Sequence, residues 1–161
     1  MVGRIGIGLC LVAAAALIVA GCGGGSNNSG GSFTVGIEGG DFLVSGIILH
    51  FPPGAVATPT PVFVVPLAPL SANPLPVAAP AGLTAISAVQ LEPETLLFPP
   101  TALVTMTLPL ASARTANEQL TLYVVQGSAW VDSGRVAVVS SSGATAVTQI
   151  ERFGVYALFV P

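Results

Sequence analysis

Lysine is absent from this chain of 161 residues, and charge of either sign is scarce. Asp, Glu, Lys and Arg make up 7% of it, against about 25% in ordinary domains. Four arginines stand against seven acids. No basic stripe exists, so nucleic-acid binding lacks its electrostatic basis. An anionic membrane surface would not attract such a chain by charge either. There are two cysteines, Cys10 and Cys22, and one histidine, His50. The only long apolar run is Ile5 to Ala20, which falls short of the ~20 residues a spanning helix needs.

What is there begins at that apolar run. Arg4 precedes it, small residues Ala20 and Gly21 follow, and Cys22 comes next. These are the parts of an export signal. The segment Val19-Ala20-Gly21-Cys22 resembles the cleavage and acylation site of bacterial lipoproteins. An ordinary secretory signal followed by a chance cysteine would also fit. The Gly- and Ser-rich sequence directly after Cys22 favours lipidation. The expectation is cleavage between Gly21 and Cys22, with a diacylglyceryl group on the Cys22 sulfur and an acyl group on its nitrogen. Residues 1–21 would be the signal peptide, and Cys10 would leave with it. One thiol then remains, so neither an intramolecular disulfide nor a cysteine metal cluster can form. Gly23 in place of Asp after the lipidated cysteine implies outer-membrane sorting in a host with two membranes. The protein would sit in the cell envelope, outside the cytoplasm, anchored to the membrane through Cys22.

Residues 22–32 read as the lipidated cysteine and a flexible Gly/Ser tether. Ten residues of this composition reach about 16–19 Å. Residues 33–161 suit a single domain. Alternation of period two, β-branched residues and frequent Pro/Gly punctuation predict strands throughout. Ile47, Leu49 and Phe51 alternate with Ile48 and His50. Val104, Met106 and Leu108 alternate with Thr105 and Thr107. Leu120, Leu122 and Val124 alternate with Thr121 and Tyr123. Further strands fit 85–91, 129–131, 135–140, 144–150 and 155–160. Only residues 111–119 have a composition that suits a helical turn. The expected class is all-β, an antiparallel β-sandwich. Pro66 to Gly82 holds five prolines. Proline removes ladder donors and fixes φ, so this segment predicts a stiff connection between sheets. Within it Pro69, Pro74 and Pro76 are candidate contact residues for a protein partner, since long loops concentrate function.

The order of motifs resembles a known family. Gly39-Gly40-Asp41-Phe42-Leu43, Gly46-Ile47-Ile48-Leu49 and Phe51-Pro52-Pro53-Gly54-Ala55-Val56 resemble the opening of the ZU-five domain. That domain occurs in ankyrins, netrin receptors and zonula occludens proteins. Leu91-Glu92-Pro93, Phe98-Pro99-Pro100, the strand Leu103 to Pro109, Ser128-Ala129-Trp130 and Arg152 to Ala157 resemble its later elements, in the same order. The resemblance implies an all-β sandwich used for protein contacts. Some relatives cut their own backbone at a His-Phe-Ser or His-Phe-Pro sequence in the closing strand. Arg152, Phe153 and Gly154 stand at those positions here, without the nucleophile or the base. The literal His50-Phe51-Pro52 matches the structural turn of the opening strand instead.

No catalytic set emerges from the remaining residues. His50 points outward on its alternation, and no G-x-S-x-G signature accompanies it. Ser45 and Asp41 lie near it in sequence. Glu92 and Glu94 flank Pro93, and solvated acids bordering a turn are the expected reading. Glu38, Asp41 and Asp132 are too dispersed for a calcium loop, so no metal or other cofactor is expected. Trp130 is expected in the core. Tyr123 remains open between core packing and stacking on a sugar. The leading expectation is a lipid-anchored, non-catalytic envelope module that contacts an envelope protein. A module binding cell-envelope glycan through Tyr123 is the alternative.

Overall fold

The computed structural model describes residues 30–161. The expected signal peptide with Gly21, Cys22 and residues 23–29 of the expected tether lie outside the described residues. Ten strands make up the fold: β1 Gly31–Val35, β2 Gly40–Val44, β3 Ile47–Phe51, β4 Thr60–Pro66, β5 Thr84–Glu92, β6 Val104–Pro109, β7 Gln119–Gln126, β8 Ala129–Val139, β9 Thr145–Ile150 and β10 Val155–Val160. No helix occurs among the described residues. The expected helical turn at 111–119 is a loop that runs into β7, closed by a bidentate pair between Arg114 and Glu118. That pair raises the pKa of the guanidinium and lowers that of the carboxyl through the hydrogen bond they share.

All pairs are antiparallel, and the strands form one sheet in the order β1-β4-β5-β10-β7-β8-β9-β6-β3-β2. The sheet wraps until its two edges meet. Phe33 of β1 stacks on Phe42 of β2 with ring centroids 4.1 Å apart. A side chain at Gly31 would come within 2.6 Å of Val44. The structure is therefore a nearly closed antiparallel sheet around one core. Gly31 and Ser32, expected in the tether, already lie in β1.

Period-two patterning explains the core. Ile47, Leu49 and Phe51 are buried while Ile48 and His50 face out. Val104, Met106 and Leu108 do the same on β6. Phe51 sits at the centre, edge-on to Phe33, Phe42, Phe98 and Phe153. Each fully buried side chain of this size contributes about 1.5–3 kcal/mol. Gly39 enables the turn into β2: its φ is +70°, and a Cβ there would overlap the Phe51 carbonyl.

Two expected strands, 129–131 and 135–140, are one. The continuous β8 carries a bulge, because Leu122 pairs Arg135 while Tyr123 pairs Asp132. Gly134 takes φ +72° there. Ser133 Oγ donates to the Leu122 carbonyl at 2.6 Å, and Gly134 N–H donates to Asp132 Oδ1 at 2.8 Å. Such bulges re-aim side chains.

Candidate functional site

Residues 67–83 do not bridge two sheets. They join β4 to β5, which are hydrogen-bonded neighbours, and fold back across the outside of the sheet as a strap. The strap is tied at its start and near its middle. Leu67 N–H donates to the Ala88 carbonyl at 3.0 Å. Ser71 Oγ and Asn73 Nδ2 both donate to the Pro66 carbonyl, at 2.6 and 3.0 Å. Trp130 Nε1 donates to the Val77 carbonyl at 3.1 Å. Beneath it lies a second apolar cluster of Leu67, Ala88, Val155, Ala157 and Phe159, joined by Leu75, Ala79, Leu83, Tyr123 and Trp130. Both Tyr123 and Trp130 pack edge-on against Phe159, at 5.3 and 5.2 Å.

The structure thus brings the four candidate contact residues to one face. Pro69, Pro74 and Pro76 are exposed on the strap, while Leu75, Val77 and Ala79 turn inward between and beside them. Tyr123 is half-buried under the same strap. Trp130 is not in the inner core; it is half-buried on the outer face as the strap's clasp. The reason is parity: Val125, the partner of Trp130 on β7, also faces outward.

A second feature sits at one end of the wrapped sheet. A cavity of about 90 Å³ is lined by Asp132, Ser133, Arg135, Glu151, Arg152 and Tyr156, among others. Beside it opens a larger hollow of about 580 Å³, which shares Val124, Gln126 and Arg152 and adds Glu94. Half of the charged side chains of the described residues gather here. Arg135 pairs with Glu151 at 3.1 Å. The Tyr156 hydroxyl donates to the Arg152 carbonyl at 2.8 Å, and burial pushes its pKa up to about 12. The hydroxyl therefore stays a donor through the physiological range.

His50 Nδ1 lies 2.6 Å from Asp41 Oδ1, and both side chains are exposed on the outside of β3 and β2. Ser45 lies beyond β2, at a turn with φ 51°. Glu92 ends β5, takes a hydrogen bond from Gln90 Nε2 at 2.8 Å and precedes Pro93. Among the described residues, no group of three or more His, Cys, Asp or Glu is placed to hold a metal ion. The strapped face and the end cavity were not anticipated from the sequence. The unbroken run Val155-Tyr156-Ala157-Leu158-Phe159-Val160 is the signal that reveals the first, since a strand apolar at every position is buried on both faces. No protein-family model matches the chain, and no curated protein matches it.

Proposed function

We propose that this chain is a lipid-anchored protein of the bacterial cell envelope whose β domain is a non-catalytic interaction module. The single observation that carries the proposal is the strap: Pro69, Pro74 and Pro76 stand exposed on a segment whose alternate residues are clamped to the sheet. A proline-rich segment held down in one conformation has already lost most of its conformational entropy, so a partner's surface can take it cheaply. The occupant is read as an envelope protein. The glycan alternative needs an open Tyr123 face, and that ring is half-buried against Phe159.

Anchoring rests on the Gly21-Cys22 site and the Gly/Ser tether. The ZU-five-like sandwich remains the finer reading of the fold. Its support is the ordered series of motifs, together with a wrapped all-β sheet whose halves enclose one core. In that reading the domain serves contacts, as the family's domains do.

The test has two arms. Metabolic labelling with palmitate should mark the wild type and not Cys22→Ala, and Cys22→Ala should leave the membrane fraction. A photo-crosslinking residue at position 74 should trap one protein species in intact cells, while the same residue at position 105, away from the strap, should not. Binding to purified envelope polysaccharide that Tyr123→Ala removes would replace the protein reading with the glycan one.

A further inference from the structure

The edges of the sheet meet where the tether enters it, and three large apolar side chains face outward around that seam among Ser32, Thr34, Asp41 and His50. Leu43 of β2 is 70% exposed and Phe63 of β4 is 48% exposed. They flank β1, the strand that follows the tether. Phe63 pairs with Ser32 across β1 and β4. The Gly31–Val44 and Phe33–Phe42 contacts set Ser32 level with Leu43. Leu43 pairs in turn with Ile48 of β3, itself 40% exposed. Phe63, Ser32, Leu43 and Ile48 therefore form one outward row that crosses the seam from β4 and β1 to β2 and β3. The chain leaves this row at its middle.

We infer that this arc is a bilayer-contact surface: Phe63, Leu43 and Ile48 settle into the interfacial region of the membrane that holds the lipid on Cys22. The inference rests on the proposed lipidation. The length of the tether and the point where it ends favour the bilayer as the occupant. With Gly31 and Ser32 in β1, the linker between Cys22 and the sheet is residues 23–30, and eight Gly/Ser-type residues reach about 14–17 Å. This arc is thus kept close to the headgroups. Tethering turns docking into an intramolecular event at high effective concentration, so modest apolar area suffices. Apolar side chains lying in the interface supply the attraction. Charge does not, because acids outnumber arginines in the described residues and Asp41 and Glu92 border the row. The contact is therefore insensitive to salt and no stronger on anionic lipid.

The experiment uses the full lipidated protein in phosphatidylcholine vesicles, with a polarity-sensitive fluorophore on Leu43→Cys, on Phe63→Cys, or on Ala78→Cys of the strap. Co-sedimentation with vesicles reports the anchor, and the fluorophore reports docking. Circular dichroism confirms each variant folded. The expected result is blue-shifted emission at 43 and 63, quenched several-fold by nitroxide-bearing lipid and unchanged in high salt, with position 78 unaffected. Protein that sediments with vesicles while position 43 stays in water overturns the contact surface and leaves the anchor standing. Protein left in the supernatant removes the anchor and the docking with it. Burial at 43 that grows with protein density on the vesicle overturns the inference in favour of a second copy.

Discussion

The two outer walls of this sheet are built differently, although their inner faces are alike. On β6 the buried residues Val104, Met106 and Leu108 alternate with Thr105 and Thr107, which reach solvent. On β10 the inner residues Tyr156 and Leu158 alternate with Val155, Ala157 and Phe159, and all five are buried. Strands β5 and β10 could not stand against water on their outer side. The proline-rich strap covers them because it has few ladder donors of its own and because Trp130 holds it down. The bare wall keeps small hydroxyl and aliphatic residues instead. Its row of Val138, Val147, Thr107, Ile48 and Leu43 runs in register across β8, β9, β6, β3 and β2. Outer-face chemistry thus separates strands that share one core.

Removing the clasp should break the contrast most. Trp130→Ala deletes the hydrogen bond to Val77 and the edge-on contact with Phe159. Large aromatic truncations in buried settings cost about 3–5 kcal/mol; for a half-buried ring we expect about 3 kcal/mol. Urea unfolding would measure it. Hydrogen exchange should accelerate across residues 67–83 and leave the β3 and β6 amides protected. Equal acceleration in both walls would show that the strap is not a separate layer.

A second test uses the inner side of β10. Tyr156 keeps its proton to about pH 12 in the folded state because its burial penalises the phenolate, whereas an unfolded tyrosine titrates near 10. Between those values the unfolded chain binds fewer protons than the native one. Stability is then full below pH about 10 and falls by about 1.4 kcal/mol per unit up to about 12. Tyr156→Phe should flatten that decline, at a neutral-pH cost of about 1 kcal/mol for the lost hydrogen bond to Arg152. Alkaline denaturation curves of the two proteins should converge. Parallel curves would mean another group governs the alkaline limb.

Ser87 sharpens the comparison in the stabilising direction. The strand pairing slips where Leu158 faces Ser87 and Phe159 faces Ala85. This bulge turns both Ile86 and Ser87 inward, and Ser87 Oγ is buried without a hydrogen-bond partner. On the bare wall a serine would meet water. In the doubly covered strand the hydroxyl carries its desolvation cost of about 1–3 kcal/mol. Ser87→Ala should raise the urea midpoint by about 1 kcal/mol of stability. A loss of stability would show that the hydroxyl has a partner.

These differences mark how far the sequence could be read. Strict alternation placed β3, β6 and β7, because each of those strands has one wet face. Size alone misplaces Trp130: a large ring is expected to be buried, but its bulk does not tell which face of the strand it lies on when both are covered. Gly134 hides in the sequence as an ordinary turn signal, so β8 reads as two strands until pairing shows the bulge. Sheet closure is equally invisible, since the meeting of β1 and β2 rests on Phe33 and Phe42 stacking across the seam rather than on any local pattern. Of the candidate contact residues, the prolines were legible from composition, and their common exposed face was not. The end cavity depends on Arg135 of β8 meeting Glu151 and Arg152 of the β9–β10 connection, which spacing alone does not encode.

The smallest expected effect lies on the bare wall, and it tests whether that wall is bare for structural reasons. Val147 pairs with Val138 on one side and Thr107 on the other, and all three side chains face outward. Val147→Thr keeps the β-branched shape that suits a strand and places a hydroxyl where water already reaches. Surface substitutions of this kind stay within about 0.5 kcal/mol. The side chain also stands three strands beyond Leu43 in the sheet order, outside the arc around the tether, so vesicle docking should not change either. The urea midpoint of Val147→Thr, compared with that of Val155→Thr in the covered outer cluster, isolates the cover itself. Both add a hydroxyl to an outward-facing strand position, and only the second buries it. A clear loss for Val147→Thr would mean that something covers the wall, and the contrast between the two sides of the sheet would then be one of partner rather than of chemistry.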